Sequence, residues 1–305
     1  MLLSGLFVPL VTPFTAAGEL DVDALAALAR TVLDDGATGL VALGTTAEAA
    51  TLSVRERHTV VDVCAEVCAD RGAPLIVGTG SNSTAQSVDA LADVDPRAAA
   101  VLAVVPYYSR PSEEGVVEHF RQVAAASPVP VLIYHVPYRT GRPLTAATLS
   151  LLAQLPNVVG FKHSVGGIDD VTVEFMSASS GDTSVLAGDD LHAAALLALG
   201  ASGAIAASAN VATRAYADLV ASWRAGPADD ARRLQNLLVP LTRALFAEPN
   251  PVVIKAVLAA HGRIPSPCVR LPLLASSAAA TANALECWPV NERRASGSPR
   301  RRRPR

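Results

Sequence analysis

Lysine is almost absent from this 305-residue chain, in which Lys162 and Lys255 stand against twenty-three arginines. Cysteine is scarce as well: Cys64, Cys68, Cys268 and Cys287 are too few and too scattered for a disulfide framework. Cys64 and Cys68 share a helix face at i, i+4, but no histidine joins them at a ligand spacing, so they read as small core residues. No apolar run reaches the ~18 residues of a membrane span, and Met1-Leu2-Leu3-Ser4-Gly5 lacks the basic start of a signal peptide. These absences point to a cytoplasmic protein without a membrane partner.

Half of the chain is apolar, enough for one large core or two ordinary ones. The formal charge of −3 conceals a division, because residues 292–305 hold seven arginines and one glutamate and leave 18 basic and 27 acidic residues elsewhere, a net of −9. So acidic a body argues against a specific nucleic-acid partner. The tail, 291–305, is of low complexity and is expected to be a disordered, solvated extension.

The rarity of lysine makes the survivors informative. Wherever a permanent cation suffices, arginine supplies it, whereas only lysine can be desolvated, lose its proton and act as an amine nucleophile. Lys162 closes the apolar run Asn157-Val158-Val159-Gly160-Phe161-Lys162, where burial would lower its pKa. Lys255 sits on no such run and reads as structural or surface-exposed.

Short β-branched runs alternate with longer stretches of helical period. The strands are expected at Leu6–Val11, Gly39–Leu43, Pro74–Val77, Ala99–Val105, Val131–Tyr134, a sixth ending at Lys162, Ser184–Ala187 and Gly203–Ala206. Ser53 with Glu56 three residues on forms a capping box before the second helix, and helices are also expected over Asp21–Leu33, Thr84–Ala92 and Thr145–Leu155. Eight βα units within about 225 residues match an α/β fold of the (β/α)8 TIM-barrel type. The Gly78-Thr79-Gly80 turn lacks the third glycine of a dinucleotide fingerprint, which weighs against a doubly wound sheet. The barrel is assigned to 1–226 and a C-terminal helical extension to 227–290.

Active sites of this barrel lie at the C-terminal strand ends. There the sequence sets Thr12-Pro13, Gly44-Thr45-Thr46, Pro106-Tyr107-Tyr108, Tyr134, Lys162 and Gly188-Asp189-Asp190. The set contains no metal constellation, phosphate cradle or nucleophile elbow. It does combine an amine with hydroxyls able to pass protons and small donors for a carboxylate, which imine chemistry requires.

Gly44-Thr45-Thr46-Ala47-Glu48, Pro106-Tyr107-Tyr108-Ser109-Arg110-Pro111, Tyr134-His135-Val136-Pro137-Tyr138-Arg139-Thr140-Gly141 and Gly160-Phe161-Lys162 together resemble the dihydrodipicolinate synthase/N-acetylneuraminate lyase family. Gly188-Asp189-Asp190, Ala209-Asn210-Val211 and the run Glu248–Lys255 agree. The resemblance implies a class I aldolase that needs no cofactor: Lys162 forms an imine with pyruvate, Tyr134 shuttles protons, and Thr45 links it to Tyr108, which in the family crosses a dimer interface. It also implies that Thr46 holds the pyruvate carboxylate, that Arg139 receives the carboxylate of an acceptor aldehyde, that Gly188 and Ile205 line the substrate site, and that partners are small molecules and further copies in a homodimer or homotetramer. Arg139 favours the dihydrodipicolinate synthase branch, with aspartate 4-semialdehyde as acceptor and 4-hydroxy-tetrahydrodipicolinate as product. The same-class alternative is an aldolase or dehydratase for a 2-keto-3-deoxy acid or N-acetylneuraminate; the other class is a noncatalytic keto-acid-binding or scaffold barrel.

Three residues depart from the family pattern. Ala47 replaces a glycine, a change that would strain the carboxylate cradle at a positive φ. His135 replaces an asparagine, and His163, expected behind the barrel because it alternates with Lys162, replaces an acidic residue. Gln86 and Arg57 replace residues of the family's lysine-effector site, so feedback by lysine is expected to be weak or absent.

Overall fold

The computed structural model describes residues 2–179 and 181–288. Every apolar run expected to be a strand is one: β1 (Gly5–Pro9), β2 (Gly39–Ala42), β3 (Leu75–Thr79), β4 (Ala100–Val104), β5 (Val131–His135), β6 (Val158–His163), β7 (Ser184–Ala187) and β8 (Gly203–Ile205). Each pairs in parallel with its sequence neighbour and β8 returns to β1, closing the barrel. Period-two alternation then divides the side chains between two cores. Phe7, Val41, Ile76, Leu102, Leu132, Leu186 and Ile205 fill the barrel interior, whereas Val8, Leu40, Val77, Val101, Ile133, Phe161 and Val185 pack outward beneath the helices.

The helices are α1 (Val22–Asp34), α2 (Val54–Arg71), α3 (Thr84–Asp89), α4 (Glu113–Ala126), α5 (Pro137–Thr140), α6 (Ala146–Ala153), α7 (Asp170–Ala178), α8 (Ala193–Ala198), α9 (Ala209–Ala225), α10 (Ala228–Leu245), α11 (Val252–Ala260) and α12 (Ala278–Cys287). Local chemistry fixes their starts. Ser53 and Glu56 form the capping box of α2, each side chain accepting from the other's backbone N–H. Ser112 and Thr145 cap α4 and α6. Cys64 and Cys68 are buried on α2, and burial pushes both thiols up, that of Cys68 to about 11.

One expectation requires correction, and an open pair of readings narrows to one. Gly78 and Thr79 are strand rather than turn, because β3 pairs with β4 through Thr79. A side chain at Gly78 would meet the carbonyl oxygen of Leu43 at 2.3 Å, so glycine permits β2 and β3 to approach there. Lys255, read as structural or surface-exposed, is structural: it is fully buried on α11, with its Nζ 2.7 Å from Oε1 of Glu48.

The chain passes from α9 to α10 at Gly226-Pro227. The helices that follow are fused to the barrel, since Leu238, Leu241, Ile254 and Trp288 join the outer core. The Arg-rich segment 291–305 lies outside the described residues. Among the described residues, no helix is long and apolar enough to cross a membrane.

Candidate active site

Parallel register brings the two central groups together. Tyr134 on β5 is the ladder partner of Lys162 on β6, so both side chains enter the barrel at one level. The Lys162 Nζ lies 4.3 Å from the centre of the Tyr134 ring. Lys162 is only 7% exposed. Burial lowers its pKa to about 8, although the negative charge of Asp190 opposes that shift. Burial likewise raises the Tyr134 pKa, opposed by the nearby charge of Arg139 and by hydroxyl approaches from Thr45 and Ser164. An amine that can be neutral close to physiological pH therefore adjoins a phenol that keeps its proton.

Gly188 follows β7 and forms the thin wall beside the amine. A Cβ there would meet Cγ of Lys162 at 2.7 Å, Cε at 2.9 Å and Cβ of Ser164 at 3.0 Å. Its carbonyl accepts from the Ser164 hydroxyl at 3.0 Å. Asp190, two residues on, is buried and accepts from the backbone N–H groups of Ala207 and Ser208 at 3.1 and 2.6 Å. These bonds tie the end of β7 to the end of β8, while burial raises the carboxyl pKa. Ile205 lies below in the barrel interior.

The Gly44-Thr45-Thr46-Ala47-Glu48 loop turns through a short 3₁₀ helix at Thr45–Ala47. Its left-handed residues are Leu43 at φ 54° and Glu48 at φ 53°, whereas Ala47 is not among the positive-φ residues. Alanine therefore fits where a glycine is usual, and the conformational demand falls one residue later. The Ala47 carbonyl accepts from Thr12 Oγ1 at 2.7 Å. Thr46 is buried and its Oγ1 accepts from Nδ2 of Asn250 at 2.9 Å, whereas Thr45 is exposed at the rim.

Behind this loop lies a charge cluster that sequence reasoning missed. Glu48 accepts from Lys255 Nζ and, on its other oxygen, from the Arg270 backbone N–H at 2.8 Å. Arg270 pairs in turn with Glu56 at 2.6 Å, and both Lys255 and Arg270 lie about 4 Å from the centre of the Phe14 ring. Ser164 was also missed; it lies two residues beyond Lys162, and alternation alone would have aimed it inward.

The remaining expected residues lie further out. Arg139 is exposed on α5 and stacks at 5.4 Å on Tyr138. It borders an open cavity of about 620 Å³ that Gly188, Asp189, Asp190, Arg243 and Asn250 also line. Tyr108 is 88% exposed, with φ 69°, and forms no hydrogen bond to Thr45 or Tyr134 within the chain. His135 and His163 face away from the mouth, with ring centres 5.3 Å apart; the His163 Nε2 lies 3.0 Å from the Thr172 hydroxyl of α7.

Comparison with known proteins accords with this arrangement. The model of the dihydrodipicolinate synthetase family matches residues 2–286. A 4-hydroxy-tetrahydrodipicolinate synthase from Pseudomonas aeruginosa is 41% identical over 274 residues, 89% of this chain and 92% of that protein. Among solved structures, a dihydrodipicolinate synthase from Thermotoga maritima superposes with a TM-score of 0.90 at 33% identity, covering 94% of this chain and 98% of that one. A chloride-inhibited dihydrodipicolinate synthase from Acinetobacter baumannii, complexed with pyruvate, gives 0.88 at 35% identity and covers 93% and 98%. The chain belongs to the dihydrodipicolinate synthetase family.

Proposed function

We propose that the protein is a 4-hydroxy-tetrahydrodipicolinate synthase, a pyruvate-dependent lyase that condenses pyruvate with L-aspartate 4-semialdehyde in the cytoplasm. The observation that carries this reading is the buried amine of Lys162 beside Tyr134. Names shared with relatives of about 40% identity and the pyruvate complex of the Acinetobacter protein support it.

Neutral Lys162 adds to the pyruvate ketone, and loss of water leaves a protonated imine. That cation is an electron sink, so a methyl proton departs and the resulting enamine attacks the aldehyde carbon of the acceptor. The product's ring nitrogen comes from the acceptor's own amine, which closes on the imine carbon and releases Lys162. Tyr134 carries protons at the imine, with Thr45 behind it. Thr46, oriented by Asn250, receives the pyruvate carboxylate, and Arg139 receives that of the acceptor, a pairing suited to a bidentate fork.

Tyr108, exposed and without a hydrogen-bond partner among the described residues, suits a contact with a second copy, and we assign it to complete the relay across a dimer within a homotetramer. Sedimentation at micromolar concentration tests the assembly. Gln86, which accepts from the Ser81 hydroxyl, carries no charge to receive a lysine effector, so half-inhibition by lysine is expected only above the millimolar range.

Borohydride reduction in the presence of pyruvate tests the chemistry. A lactyl-sized mass on the peptide containing Lys162 is expected; a noncatalytic barrel would gain none. A panel of aldehydes then separates aspartate 4-semialdehyde from the sugar-acid substrates.

A further inference from the structure

The cavity above Gly188 contains a second cation that the condensation chemistry leaves unused. Arg139 reaches it from α5 and Arg243 from the last turn of α10, two residues 104 positions apart in sequence. Of the acidic residues lining the same space, Glu248 and Asp190 are engaged by backbone N–H groups and Asp189 adjoins an imidazole. Both carboxylate oxygens of Glu248 accept from the Ser277 N–H at 3.2 Å. Asp189 lies 3.3 Å from Nδ1 of His192, and Asp190 is held by the N–H groups of Ala207 and Ser208. The two arginines are not: neither forms an ion pair among the described residues.

We infer that Arg243 is a specificity-determining residue, binding jointly with Arg139 the carboxylate of the acceptor aldehyde as it enters the cavity. The inference rests on the proposed function in taking the acceptor to be an anion that meets the pyruvate imine at Lys162. Two unpaired guanidinium groups bordering one cavity favour an anion over a neutral aldehyde, and each charge-assisted bond adds to that preference. A helix-end role is the competing account, since a cation in the last turn of α10 also complements the helix dipole. That role would alter stability without altering the choice between acceptors.

The test compares wild type with Arg243→Gln and Arg243→Lys. Rates are measured with a carboxylated aldehyde, succinic semialdehyde, and an uncharged one, butyraldehyde; neither carries an amine, so water hydrolyses the imine of the aldol adduct to release Lys162, and low ionic strength keeps screening weak. The ratio of kcat/KM for the carboxylated over the uncharged aldehyde should fall about tenfold in Arg243→Gln and be largely restored in Arg243→Lys. A ratio within twofold of wild type in Arg243→Gln would overturn the inference. Should wild type form no pyruvate adduct at Lys162, the proposed function fails separately. Calorimetric titration with succinate then judges the arginine: an approximately tenfold rise in Kd in Arg243→Gln supports the site, and an unchanged Kd removes it.

Discussion

Lys255 and Glu48 form an ion pair of 2.7 Å with neither side chain open to solvent, 207 residues apart in sequence. The pair joins α11 of the C-terminal extension to the residue that ends the Thr45-Thr46-Ala47 turn. Burial lowers the Lys255 pKa and the Glu48 charge opposes that shift. Because the Arg270 N–H occupies the second carboxylate oxygen, both charges are compensated, which a buried pair requires.

Lys255→Met should therefore leave Glu48 buried with half of its partners and cost about 3–5 kcal/mol. Combining it with Glu48→Gln should recover part of that loss. Urea denaturation of the two single variants and the double variant measures the coupling, and strict additivity would rule the pair out as a unit.

Lys162 poses the opposite case, a buried amine without an ion pair among the described residues. Its pKa falls from 10.5 to about 8 on folding, so between those values the unfolded chain binds more protons and stability rises with pH. Below pH 8 the full cost of burying the charge is present, about 3 kcal/mol at most. Lys162→Met should form no pyruvate adduct yet be more stable than wild type at pH 7, with the advantage shrinking towards pH 10. In wild type, the rate of adduct formation should rise about tenfold per pH unit below 8 and then level off, as quench-flow trapping with borohydride can follow.

Three buried histidines make the fold sensitive to acid. Burial lowers His135 to about 3, aided by the adjacent His163, and lowers His163 and His119 to about 4. The unfolded state protonates first, near 6.5, so the stability linked to these groups is intact above that pH and is lost as pH falls towards 4. His135→Asn should flatten the decline of Tm between pH 6.5 and 4.5 while leaving Tm at pH 8 within a few degrees of wild type. An unchanged slope would show that His135 is protonated at no cost.

Gly188→Ala tests the wall beside the amine. Contacts of 2.7 and 2.9 Å to the Lys162 stem cannot be relieved at the chain's tip alone, so the amine must shift. Misplacement of that order costs about 10²-fold in rate. The variant should fold, retain its circular dichroism spectrum and lose at least that much turnover.

Most of the framework was legible in sequence because buried parallel strands appear as β-branched runs bounded by glycine, proline or threonine. All eight expected strand ends lie within a residue or two of those observed, as at Ser184–Ala187, which is unchanged. Gly78-Thr79 misled because glycine and threonine mimic a turn where close strand approach is the cause. Lys162 and Tyr134 were legible from position and rarity. The Glu48–Lys255 pair was not, since nothing local to either residue reports a partner two hundred positions away. Arg243 was likewise hidden: its helical surroundings resemble any exposed helix end, and only the tertiary fold brings it to the mouth.

Tyr134 and Lys162 owe their spacing to a shared rung of the β5–β6 ladder, whereas Arg139 and Arg243 belong to separate helices above the strands. Under the proposed assignment of the two arginines to aldehyde binding, selection can thus rework them without disturbing the distance between amine and phenol. A barrel built this way is suited to diverge in diet while keeping its bond-forming step, and directed evolution of new acceptors should begin at α5 and the end of α10.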